Sequence, residues 1–222
     1  MTDNIVICPK GYYCPQKSIN PTACPQGTYN PTTMSWDAAH CLKCPPGYKC
    51  STQALTELHE TNDKCTAGYF CAESSISAQP VARDLGATPP RWGPCPVGHY
   101  CPIGTAYPYK CPIGTYNDQV LQTADSACKD CAAGYFGETT ALSVSTCTGK
   151  CAPGYFCVGK ATTPTPTDGT TGNICTKGNY CPEGATAVTK CAAGTYNHIT
   201  GQKVCLDCPA GFYCLEGQEE PA

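Results

Sequence analysis

The sequence predicts a small disulfide-rich β fold: an elongated tandem array of short hairpin modules with irregular loops and no single hydrophobic core. Three observations point there. The chain has 22 cysteines in 222 residues, a density that marks disulfide scaffolds. The usual core formers are scarce, with 8 Leu, 8 Ile, 8 Val and 4 Phe, too few for the continuous apolar core that a chain of this length otherwise needs. And one short motif recurs from end to end. Low aliphatic content alone would suggest disorder, but disorder also needs a high net charge, and here it is only −3. The even cysteine count decides for a cross-linked solid.

The motif is Cys-x-x-Gly followed by an aromatic residue at the fourth or fifth position. It opens at Cys8 (CPKGYY), Cys24 (CPQGTY), Cys44 (CPPGY), Cys65 (CTAGYF), Cys95 (CPVGHY), Cys111 (CPIGTY), Cys131 (CAAGYF), Cys151 (CAPGYF), Cys175 (CTKGNY), Cys191 (CAAGTY) and Cys208 (CPAGFY). These are the odd-numbered cysteines in chain order, and none of the even-numbered ones opens the full motif. Glycine supplies a positive φ for a turn just after the opener, and the proline that follows many openers pre-sets the backbone before it. The aromatic then enters a short strand, where it covers the disulfide or packs on the next module; in a chain so poor in aliphatics these rings are the largest apolar surfaces available.

Treating all openers alike pairs each with the next cysteine. Seven short rings result: Cys8–Cys14, Cys44–Cys50, Cys65–Cys71, Cys95–Cys101, Cys151–Cys157, Cys175–Cys181 and Cys208–Cys214. Four longer loops complete the set: Cys24–Cys41, Cys111–Cys128, Cys131–Cys147 and Cys191–Cys205. Spacing leaves a rival open, the interlocked pairing of neighbouring short rings, such as Cys44 with Cys65. The chain-entropy relation gives roughly 2.4 kcal/mol for a short ring and about 3 kcal/mol for the longest loop.

A longer period sits above the motif and divides the chain into a cysteine-rich repeat unit at 1–50, a half-unit with long insertions at 51–94, a second repeat unit with an extra loop at 95–157, a Thr/Pro-rich linker at 158–174 and a third repeat unit at 175–222. In the middle unit Gly137 stands where a cysteine is expected after CAAGYF. Leu55 and Leu58 sit at helical spacing within 51–63 and predict a turn or two of helix.

The pattern CPKGYYCPQ…CPQGTYN…CLKCPPGYKC resembles the ephrin-receptor-like cysteine-rich repeats, distant relatives of growth-factor-like and tumour-necrosis-factor-receptor modules. The resemblance covers nearly the whole chain, with departures at the insertions 51–64, 72–94 and 158–174 and at openers lacking proline. It implies short antiparallel hairpins strung along a rod and an extracellular location, as in receptors, matrix proteins, protist surface proteins and flagellar-hair filaments, without fixing a single function.

Cysteine usage points to an oxidising compartment: secreted, at the cell surface or on a flagellar surface. The first ten residues, MTDNIVICPK, lack a signal-peptide pattern, no apolar run reaches the length of a membrane span, and the chain reads as either a processed product or, the favoured reading, a piece of a longer secreted protein. Lys and Arg total 14 without clustering, which argues against a nucleic-acid partner. Cys41/Cys44, Cys128/Cys131 and Cys205/Cys208 form CxxC pairs, but they lie more than seventy residues apart, and His40, His59, His99 and His198 show no ligand spacing; each pair reads as the end of one loop meeting the start of the next rather than as zinc ligands. No cofactor is expected and no catalytic constellation is present, so the chain reads as non-enzymatic. Thr162, Thr163, Thr165 and Thr167 are candidate O-glycosylation sites, with a bare spacer as the alternative. Trp92 is a candidate interface residue or packs on its own neighbours. The functional expectation is a non-catalytic extracellular structural protein: a repeat segment of a larger filament, coat or flagellar-hair component that self-associates or joins other structural proteins and glycans. The alternative is a receptor or adhesion ectodomain that binds a protein ligand.

Overall fold

A computed structural model describes residues 6–81 and 92–222. The Pro89–Pro90–Arg91 part of the insertion and the first five residues lie outside them. Among the described residues, regular structure is confined to strands of two or three residues in nine two-stranded sheets and two single-turn 3-10 helices, Ala38–His40 and Asp125–Ala127. Eleven disulfides join each opener to the next cysteine, from Cys8–Cys14 to Cys208–Cys214, and no cysteine is free. The fold is the disulfide-rich hairpin array that the sequence predicts.

Among the described residues, nine of the eleven modules form a two-stranded hairpin, while the Cys44 module has the single Tyr48–Lys64 bridge and the Cys208 module has no strand. The aromatic segment pairs antiparallel with the residues just before the next opener: Tyr12 with Ala23 and Tyr13 with Thr22, Thr28 with Lys43 and Tyr29 with Leu42, Tyr135 with Lys150 and Phe136 with Gly149, Asn179 with Lys190 and Tyr180 with Thr189. Everything variable in length lies at the hairpin tips. Two expectations change here. Residues 51–63 form turns rather than helix, because the Leu55 carbonyl accepts the Asn30 N–H of the preceding module. Residues 158–174 are no extended spacer. They make a hairpin tip whose last residues, Gly172–Ile174, pair with Tyr155–Cys157, and Ala161 and Pro166 are buried within it. The Pro164 carbonyl takes the Ala152 N–H, which folds the tip back on its own module.

The chain forms two compact units. Met1–Tyr109 with Val120–Ala124 makes one, and Lys110–Gln119 with Asp125–Ala222 makes the other. In both, the interior is sulfur: most of the fully buried apolar residues are cysteines. The aromatic at the fifth position after an opener covers the disulfide of the following module. Phe70 packs on Cys95 and Cys101 in the first unit; in the second, Phe136 packs on Cys151 and Cys157, and Phe156 on Cys175 and Cys181.

Candidate functional site

The repeated feature of this molecule is the junction between modules, and it is made of backbone. Four hydrogen bonds recur at every junction within each of the two compact units. The motif glycine donates its N–H to the carbonyl of the sixth residue after the next opener: Gly11 to Asn30, Gly27 to Cys50, Gly47 to Cys71 and Gly68 to Cys101 in the first unit, and Gly134 to Cys157, Gly154 to Cys181 and Gly194 to Cys214 in the second. The next opener's N–H returns to that glycine's carbonyl, as Cys24 to Gly11 and Cys175 to Gly154, at 2.9 and 2.8 Å. A residue nine or ten positions after the next opener, held at positive φ, donates to the previous opener's carbonyl; Met34 to Cys8, Ala54 to Cys24, Gly184 to Cys151 and Gly217 to Cys191 are examples. The sixth residue after the opener donates in turn to the module that follows, as Cys14 to Ser35, Asn30 to Leu55 and Cys181 to Gln202. A stacked array whose modules contact mainly their neighbours derives its stability from such nearest-neighbour terms.

The sixth position therefore carries both an incoming and an outgoing bond, and the sequence anchors it in two ways. In the short rings it is the closing cysteine. Where the loop is long it is Asn30, Asn117 or Asn197, each almost fully buried; in the Cys131 module Gly137 takes the position with backbone bonds alone. Asn30 donates to the Tyr12 carbonyl and the Ser35 hydroxyl, both at 2.9 Å, and accepts from the Thr32 N–H and hydroxyl. Asn197 donates to the Asn179 and Val204 carbonyls, while its Oδ1 is buried without a partner. These asparagines are the functional residues that the motif reading passed over, although the shared offset of Asn in TYN and of Cys in the short rings was visible.

The motif glycines also meet the module two further on. A Cβ at Gly68 would lie 2.8 Å from the Leu121 carbonyl oxygen, and one at Gly27 2.9 Å from that of Ser74. Gly154 faces the Gly201 carbonyl still more closely, at a φ of 86°.

Side-chain chemistry is sparse by comparison. The CxxC cysteines are all bonded, with Cys41 joined to Cys24 and Cys44 to Cys50. His40 sits 2.9 Å from Asp37 and edge-on to Trp36, and the ring of His198 stacks on Tyr196. Among the described residues no cluster of His, Cys, Asp and Glu has a metal-holding arrangement. Trp92 begins the strand paired with Tyr69–Cys71, is half-buried, and lines an apolar cavity of about 200 Å³ with Ile76, Pro80 and Val81. Trp36, which sequence reasoning did not single out, is 66% exposed. The Thr171 hydroxyl and the Thr170 and Thr171 N–H groups hold the Asp168 carboxyl below its ordinary pKa, and the Lys129 ammonium does the same for Asp118. Thr162, Thr165 and Thr167 are exposed around the tip of that loop and Thr163 is half-buried.

No family model matches the chain. It is similar to the ABC-type transporter claG of Penicillium crustosum, 31% identical over 108 residues, which is 47% of this chain and 11% of that protein. It is also similar to ABC transporter G family member 25 of Oryza sativa subsp. japonica, 26% identical over 157 residues, 68% of this chain and 13% of that protein. The chain thus spans little more than a tenth of the length of the curated relatives it matches. Among the described residues no helix is long and apolar enough to cross a membrane.

Proposed function

We propose that this chain is a non-catalytic structural segment of a larger extracellular protein, in the manner of the ephrin-receptor-like repeats, and that it serves a filament, coat or flagellar-hair component. The observation that carries this reading is the junction itself. The same four backbone bonds recur module after module, every cysteine is spent on a disulfide, and the bonded CxxC pairs leave no thiolate for redox or nucleophilic work. Eleven disulfides fit an oxidising compartment. The test is immunogold electron microscopy of the native material: regular, repeated labelling along an assembly outside the cell is expected, and diffuse labelling inside the cell defeats the reading. Peptide mapping of the same material identifies glycans on Thr162, Thr163, Thr165 or Thr167 where they are present.

The similarity to segments of two much longer transporters favours a second reading, a cysteine-rich ectodomain carried by a larger membrane-anchored protein and presenting Trp36 or Trp92 to a protein ligand. A membrane span in the same full-length transcript, with the label confined to a membrane surface, selects this reading over the first.

A further inference from the structure

One module departs from the pattern at the residue that elsewhere covers its neighbour. At the fifth position after the opener ten modules carry Tyr or Phe, and the module opened by Cys44 carries Lys49. Phe70 and Phe136 show what the ring does at that position: each lies on the disulfide of the next module. Behind Lys49 the next disulfide, Cys65–Cys71, is covered by backbone instead, with the Ala78 and Ser77 carbonyls 3.5 and 3.4 Å from its two sulfurs. An open cavity of about 410 Å³ stands beside them, lined by Lys49, Ser51, Thr66, Ile76, Ser77 and Gln79.

The cavity's polar groups have bonding capacity left. The Lys49 side chain is only 24% exposed, and its ammonium stands 3.8 Å from Asp63 Oδ1, beyond hydrogen-bond distance. The other Asp63 oxygen accepts the His59 N–H at 2.9 Å. Among the described residues the Ser51 and Thr66 hydroxyls and the Gln79 side-chain amide make no hydrogen bond. The backbone beneath these groups is fixed. Lys49 N–H donates to the Asp63 carbonyl at 2.7 Å, Cys50 N–H to Ser75 at 2.8 Å and Thr66 N–H to Ala78 at 3.0 Å. Donors and acceptors are thus held in place before any ligand arrives, which lowers the cost of binding one.

We propose that this cavity binds a uronic-acid residue of an extracellular polysaccharide. Its volume lies in the range of small-ligand sites and is larger than a bare oxyanion needs. One ammonium matches one carboxylate, in a charge-assisted hydrogen bond. The hydroxyls of Ser51 and Thr66 and the Gln79 amide both donate and accept, as the ring hydroxyls of a sugar do, and Ile76 gives the C–H face of the ring an apolar wall. A phosphate chain or a polysulfated sugar calls for more than the single cation present. An acidic peptide supplies the carboxylate but not the set of hydroxyls. Asp63 faces the same ammonium, so it orients Lys49 in the empty site and competes with the incoming carboxylate. The inference gives the extracellular coat reading its partner and rests on that reading.

The experiment titrates the oxidised 222-residue chain calorimetrically with trimers of galacturonate and of mannuronate, their methyl esters, a glutamate tripeptide and sodium sulfate. At least one uronate trimer is expected to bind, and esterification, which removes the charge that Lys49 meets, to weaken it about tenfold. Lys49→Tyr restores the residue type of the other modules and fills the space, so binding should vanish while the thermal midpoint holds. Thr66→Val keeps the shape without the hydroxyl and should weaken binding about threefold. Asp63→Asn leaves an oxygen for the His59 N–H, removes the competing charge and should tighten binding. The inference is overturned if neither trimer binds the wild type, if Lys49→Tyr binds as well as the wild type, or if the tripeptide or sulfate alone binds as tightly as the sugar. The extracellular structural reading fails separately, through the micrographs of native material, which show an ordered assembly or its absence whatever the titrations give.

Discussion

The modules opened by Cys175 and by Cys24 solve the same problem with different chemistry. In the first, the sixth residue is Cys181, tied to its own opener by a short ring. In the second it is Asn30, buried and held by four side-chain hydrogen bonds, while the disulfide has moved outward to Cys41 at the far end of the tip. What stays constant is the backbone at that position, which passes a hydrogen bond in from one neighbour and out to the next. A covalent bond and a saturated buried amide are thus interchangeable supports for one junction.

The comparison is broken most forcefully by removing the covalent support. Replacing Cys175 and Cys181 with serine should cost about 2–5 kcal/mol, because the ring goes and Phe156 and Ala185 lose the surface they pack on. Chemical denaturation with native-state hydrogen exchange at the Gly154 and Gly178 amides would register it, and protection at those amides unchanged from the wild type would show that the ring does not support the junction.

Next comes the glycine that each junction closes on. Gly154→Ala combines a left-handed backbone with a collision against the Gly201 carbonyl, and about 2–4 kcal/mol of destabilisation is expected from backbone and overpacking together. Gly194→Ala has a φ of 87° but open space, so about 1–2 kcal/mol, the backbone part alone, should remain. Equal losses in the two variants would mean that the approach of the second module contributes nothing.

The asparagines sharpen the comparison further. Asn30→Ala strands the Tyr12 carbonyl and the Ser35 hydroxyl and should cost about 1–3 kcal/mol. Asn197→Ala should cost less, since its Oδ1 already lacks a partner. A larger loss at Asn197, measured by the same denaturation, contradicts the assignment of the amide as the anchor.

The smallest effect is electrostatic. The Asp168 carboxyl titrates below the 3.8 of an unperturbed aspartate because its ionised form accepts the Thr171 hydroxyl and two backbone N–H groups. A lowered folded-state pKa makes this contribution full above the unfolded value and lost as pH falls through the folded one. A carboxyl NMR titration should therefore show a midpoint below 3.8, and Thr171→Ala should raise it. A midpoint unmoved by that substitution removes the hydroxyl from the account.

Much of this fold could be read from residue spacing. The alternation of openers and closers contains the pairing that the structure displays, and the aromatic after each glycine locates a strand. What stayed hidden is set by distance along the chain. The contact of Gly154 with Gly201 joins modules two apart, and no local pattern encodes it. Leu55 and Leu58 carried a helical period, but a tertiary hydrogen bond from Asn30 to the Leu55 carbonyl outweighed it. The Thr/Pro stretch around Pro164 and Pro166 had the composition of a linker, and only its return strand, Gly172–Ile174, reveals it as a folded tip. Of the candidate surface, Trp92 was legible as an aromatic outlier, whereas the role of Asn30 required knowing that a cysteine elsewhere fills the same offset.

Placing length variation at the hairpin tips has a consequence for how such a chain can change. The residues between the positive-φ position and the returning strand, such as 162–171 after Lys160 and Ala161, lie beyond the positions that form the rungs. Added segments there leave the spacing of the rungs untouched, and the entropy of a longer loop grows only slowly with its length. Length can therefore be added at the exposed turn of such a tip, around Gly169, which has open space about it, while the disulfide-held junctions keep their register.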